Sequence, residues 1–73
     1  MKSAYVILVI NGRKKIKSIP PTDIVDVAAA VIIKGAEKGE VYITIDDVPE
    51  KYREDVIAAL EAEGYDSDGN YLE

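Results

Sequence analysis

Ala4-Tyr5-Val6-Ile7-Leu8-Val9-Ile10, followed by Asn11-Gly12, is the stretch on which the fold turns. Seven consecutive apolar residues, most of them β-branched or aromatic, read as a strand covered on both faces. The run is short for a helix. Asn-Gly is a strong hairpin signal, because a tight two-residue loop needs two residues that tolerate positive φ. Arg13 to Ile19 then returns beside the first strand. In that register Ile7 faces Ile16, Leu8 faces Lys15 and Val6 faces Lys17. One face carries Tyr5, Ile7, Val9, Lys14, Ile16 and Ser18. The other carries Ala4, Val6, Leu8 and Ile10 with Arg13, Lys15, Lys17 and Ile19, and it is the outer face because cations need water at their tips. Lysines along the second strand mark it as a guarded edge.

Outward from the hairpin, Pro20-Pro21 ends the second strand. Thr22 caps a helix expected over about 22–38, and Gly39 stops it. That helix carries one apolar stripe of Ile24, Val27, Ala28 and Val31, and beside it a second of Val25, Ala29, Ile32 and Ala36. Gly35 weakens its last turn. Glu40 to Asp46 alternates, with Val41, Ile43 and Ile45 on one side and Tyr42 and Thr44 on the other, so a strand is expected over about 41–46. Asp47-Val48-Pro49-Glu50 opens a second helix, about 50–63, with Asp47 as cap. Its buried stripe is Tyr52, Val56, Ala59 and Leu60. Gly64 ends it, and Tyr65 folds back onto it. Residues 65–73 form a tail that is either a turn with a short extended segment or a frayed end.

The expected fold is therefore a single α+β domain over 1–73, in the order ββαβα with a short C-terminal extended segment. Its strands lie at about 4–10, 13–19 and 41–46 in spatial order 2-1-3, the tail is a candidate fourth strand, and both helices lie on one sheet face. Seventy-three residues bury only about 60% of the unfolded surface, so the core is small.

The composition narrows the function more than it assigns one. The chain has no cysteine and no histidine. No disulfide, thiolate or imidazole chemistry is open to it. The carboxylate pairs Asp46-Asp47 and Glu54-Asp55 are adjacent in sequence and point to different faces, so neither is an acid–base dyad. No catalytic residue and no cofactor is expected. Asp66, Asp68, Asn70 and Glu73 crowd oxygen atoms around Gly69, which looks like half of a calcium loop. Aspartate and glycine serve turns far more often, so a plain turn is the simpler reading.

Net charge is −5, unevenly placed. Residues 1–39 carry seven Lys/Arg against three Asp/Glu, or +4; residues 40–73 carry two against eleven, or −9. Arg13, Lys14, Lys15 and Lys17, with Lys2, could follow a nucleic-acid backbone, but the chain is acidic and no aromatic platform accompanies them except Tyr5, which disfavours that role. No run is long enough to span a membrane, and a soluble, cytoplasm-like setting is expected. Helices on one sheet face leave the other open. Val6, Leu8, Ile10 and Tyr42 are therefore the candidate surface for a protein partner or a second copy.

The layout resembles small computationally designed α/β proteins. The resemblance rests on Asn11-Gly12 as an idealised hairpin, lysines on the edge strand, caps at Thr22 and Asp47, and glycine stops at Gly39 and Gly64. It implies a scaffold without natural biochemical activity. The alternative is a small natural protein-binding module or inhibitor of the phage or bacterial type, acting through the open sheet face or the acidic C-terminal half.

Overall fold

A computed structural model of the chain describes residues 2–72. Among them lie three helices, α1 (Lys2–Ile10), α2 (Ile24–Lys38) and α3 (Glu50–Ala62), and no sheet. The only β pairing among the described residues is a single antiparallel bridge between Tyr65 and Tyr71. The expected α+β fold, its hairpin and its 2-1-3 sheet are corrected to an all-helical domain.

The central element is α2, which packs on both α1 and α3. That explains its apolar excess. Ile24, Val27, Ala28 and Val31 are buried, and Ala29 and Ile32 beside them are buried too. A helix with a neighbour on each side needs more than one stripe. From α3, Val56 and Leu60 enter the core, with Tyr52 and Ala59 partly buried against it.

The stretch 4–10 is helical. Its single well-buried residue is Val9, at 6% exposure, with Tyr5, Val6 and Ile10 packed partly against the core. Ile7 is 59% exposed. A strand would place Ile7 and Val9 on one face; here they lie on opposite sides of a helix, two residues apart at about 100° each. A run that is apolar throughout carries no phase, so it reads equally as buried strand or buried helix.

Asn11-Gly12 is the stop of α1. The Gly12 N–H donates to the Val9 carbonyl at 3.0 Å, and the Arg13 N–H to the Leu8 carbonyl at 2.8 Å. This pair of bonds is the Schellman pattern, which needs positive φ at one residue only. Gly12 has φ +71°, and no described residue other than glycine has positive φ. The hairpin turn would have required it at Asn11 as well. The same closure recurs at Gly39, where Glu40 N–H donates to Gly35, and at Gly64, where Tyr65 N–H donates to Leu60, each at 2.8 Å.

The segments expected as strands at 13–19 and 41–46 are connectors, each holding one 3-10 turn, Ile16–Ser18 and Ile45–Asp47. They share a pattern: Ile16-Lys17-Ser18-Ile19-Pro20 and Ile45-Asp46-Asp47-Val48-Pro49. In a 3-10 turn residues i and i+3 eclipse, so Ile16 and Ile19 enter the core together, as Ile45 and Val48 do in part. In a strand an odd spacing would split each pair across two faces. Proline then holds the preceding residue extended: Ile19 sits at φ −72°, ψ 140° and Val48 at φ −80°, ψ 135°. Val41 does not share a face with Ile43; the chain bends at Tyr42.

Two cap assignments also change. The residue before α2 is Asp23 rather than Thr22, and the Asp23 side chain makes no cap hydrogen bond. Asp47 serves the 3-10 turn rather than α3: its carboxylate accepts the Thr44 N–H at 2.8 Å. Arg53 of α3 clamps the turn from the other side, donating through Nε to the Val48 carbonyl at 2.9 Å and through Nη2 to the Asp46 carbonyl at 3.0 Å.

Candidate binding grooves

The two connectors and the C-terminal loop enclose two open grooves, with Tyr42 and Ile43 lining both. The first, about 400 Å³, runs along the C-terminal half of α2 between segments 39–44 and 67–70. Its floor includes Ile32, Gly35 and Ala36. Its charged lining is Glu40 and Asp68, with no lysine or arginine. The Tyr42 hydroxyl is raised above its ordinary pKa, first by its hydrogen bond to the Glu40 carboxylate, then by partial burial and that negative charge. Tyr42 therefore stays a neutral hydrogen-bond donor at the rim.

The second groove, about 520 Å³, lies between the connectors. Lys14, Lys15 and Lys17 line one side, Asp46 and Asp47 the other, with Val9 and Ile16 between. Lys14 sits 5.9 Å from the centroid of the Tyr5 ring, a cation–π distance. Lys15, Lys17 and Asp46 are exposed.

The C-terminal loop is ordered around Asp66. Its Oδ1 accepts the N–H of Asp68 at 2.9 Å and of Asn70 at 3.0 Å, an Asx turn. Of the four oxygen-bearing residues compared with a calcium loop, Asp66 thus spends its carboxylate on the backbone, Asp68 and Asn70 are exposed, and Glu73 lies outside the described residues. No group of three or more acidic residues suited to a metal ion occurs among the described residues. Gly69, at φ +83°, seats the loop on α2: a Cβ there would meet Ile32 Cγ2 and the Ile32 carbonyl oxygen at 2.9 Å each.

Tyr65 and Tyr71 stack across the base of this loop, ring centroids 4.7 Å apart and 24° from parallel. The hydrogen bond between their hydroxyls, with burial and nearby negative charge behind it, pushes Tyr65 up to about 12. A free tyrosine titrates near pH 10. Between about pH 10 and 12 the folded chain keeps a proton that the unfolded chain releases. The stability this contributes is complete below about pH 10 and fades as pH rises towards 12. Alkaline absorbance titration should show a tyrosine ionising near pH 12, assigned to Tyr65. Tyr71→Phe, which keeps the ring and removes the hydroxyl, should bring it down. A single unshifted population in both proteins would contradict the pairing.

The surface residues singled out from sequence divide. Val6 and Ile10 pack partly against the core, Leu8 is half-buried on α1, and Tyr42 stands on the ridge between the grooves. They form no sheet face, because there is no sheet. The large apolar residues most open to solvent are Val41 at 78% and Tyr71 at 76%, with Ile7 and Leu72 also exposed. Reading 41–46 as a strand hid Val41 among inward residues. The repeated Ile-x-x-Ile/Val-Pro pattern was the signal that both connectors turn rather than extend. Among the described residues no helix is long and apolar enough to cross a membrane. Compared with protein-family models, curated proteins and solved structures, the chain matches none.

Proposed function

We propose that the chain is a non-catalytic protein-binding domain whose first groove receives a basic, extended segment of another protein. The observation that carries this reading is the groove's make-up: an apolar floor, a rim of Glu40 and Asp68 without a cation, and exposed Val41 at its edge. Large exposed apolar side chains beside a polar rim are the usual anatomy of a contact surface. The absence of histidine and cysteine from the sequence leaves no nucleophile–base pair to favour catalysis. The test is a titration followed by amide chemical shifts, with oligolysine and oligoglutamate peptides as probes. Oligolysine should shift amides of 39–44 and 67–70, and less so as salt rises. No shift, or equal shifts with both peptides, would overturn the reading.

A second reading, a designed scaffold with no natural partner, is favoured by the glycine stop shared by all three helices, a device of idealised sequences. It expects an unfolding midpoint above about 90 °C. A midpoint in the ordinary mesophile range would count against it.

A further inference from the structure

The second groove carries its two charge signs on two separate walls. Lys15 and Lys17 come from the first connector, Asp46 and Asp47 from the second, and the apolar side chains of Ile16 and Ile43 line the space between. The opposition has a local origin. Each wall is the same Ile-x-x-Ile/Val-Pro turn, which points its two anchors inward and its intervening residues outward. The intervening residues are Lys17 and Ser18 in one copy and Asp46 and Asp47 in the other. Among the described residues, Lys15 and Lys17 form no ion pair with a carboxylate, and the Asp46 side chain has no hydrogen-bond partner.

A surface with a positive wall and a negative wall is its own complement under a two-fold rotation. Turning a second copy by 180° lays its lysine wall on the first copy's aspartate wall, and the reverse contact forms at the same time. We infer that this groove is the interface of a symmetric homodimer, in which Lys15 and Lys17 of each copy face Asp46 of the other. A partner of one charge sign would satisfy one wall and oppose the other, which is why a second copy fits better than a uniformly basic or acidic protein. The pairing also uses the division of charge between residues 1–39 and 40–73 without gathering it on one side. The face is small and its charged side chains are exposed, so the association belongs to the weak, salt-sensitive class. It uses a different groove from the one proposed for a basic partner, and it stands or falls independently of that proposal.

Charge exchange tests it. Lys15→Glu with Lys17→Glu turns the lysine wall net acidic, with Lys14 remaining, and Asp46→Lys cancels the negative charge of the other wall, with Asp47 remaining. All three positions are exposed, and circular dichroism will report that the helices persist. Asp47 is left alone because it holds Thr44. In sedimentation equilibrium the unmodified chain should show a concentration-dependent dimer. Each variant alone should dimerise about tenfold more weakly or worse. An equimolar mixture of the two should recover a heterodimer stronger than either variant alone, because one contact keeps its lysine–aspartate pairing and the other sets the introduced glutamates against the introduced lysine. A monomer at about millimolar concentration, variants that dimerise unchanged, or a mixture no stronger than its parts would each overturn the inference.

Discussion

Replacing Gly35 with alanine is expected to destabilise the domain by about 1–3 kcal/mol, although helix propensity alone predicts a gain of about 1 kcal/mol. Gly35 is buried in the last turns of α2, where alanine is intrinsically the better residue. The chain leaving α2 folds straight back over it. A Cβ built on Gly35 would lie 2.6 Å from the Glu40 carbonyl oxygen and 3.4 Å from the Tyr42 ring. The first contact is with backbone, held in place by the Glu40 N–H donating to the Gly35 carbonyl at 2.8 Å. Backbone cannot swing aside as a long side chain can, so either α2 or the 39–44 segment must shift. At roughly 4–8 °C per kcal/mol for a domain of this size, the fall in melting temperature is easily read by circular dichroism. A rise would show that residues 39–44 do not rest on α2. The substitution should also weaken any ligand of the first groove, since Gly35, Glu40 and Tyr42 all line it.

Gly35 also marks how far the sequence could be read. Its cost to the helix was visible in the chain; its reason, a close approach by residues far from any local pattern, was not. The helical segments around 24–38 and 50–62 announced themselves because α2 and α3 alternate apolar stripes with polar residues at a helical spacing. The Tyr65 contact after Gly64 was also legible, because a glycine followed by an apolar residue is a helix stop with a partner. The first helix was not legible. Its sequence is apolar on every side, so no period could separate helix from strand, and Asn11-Gly12 serves both a hairpin and a helix stop. Tertiary context decided: α2 offers a helical neighbour, and β propensity yields to that. The connectors failed for a different reason. Ile16, Ile19 and Ile45 fall in the expected strands and Val48 in the expected helix start, when the repeated spacing of three before a proline is the better guide. The grooves followed those errors, since both are walled by connectors that had been assigned to a sheet.

The largest single loss is expected from Leu60→Ala, about 2–5 kcal/mol by the usual cost of truncating a buried leucine. Leu60 has no exposed surface and stands where α3 meets the core shared with α2. Its carbonyl also accepts the Tyr65 N–H that closes the helix. Three methyl-sized groups removed there leave a cavity that flanking helices cannot fill without breaking their own packing. A small domain has only a few kcal/mol in total, so the variant should be partly unfolded near room temperature and should lose the stacked Tyr65–Tyr71 pair with the loop it anchors. Ile7→Ala is the matched control, an aliphatic truncation on α1 at 59% exposure, expected to change stability by less than about 0.5 kcal/mol. The comparison is read by urea unfolding of both variants. If Ile7→Ala cost as much as Leu60→Ala, α1 would have to bury its other face, and the packing of α1 on α2 described above would be wrong. If Leu60→Ala were mild, α3 would not be part of the core at all.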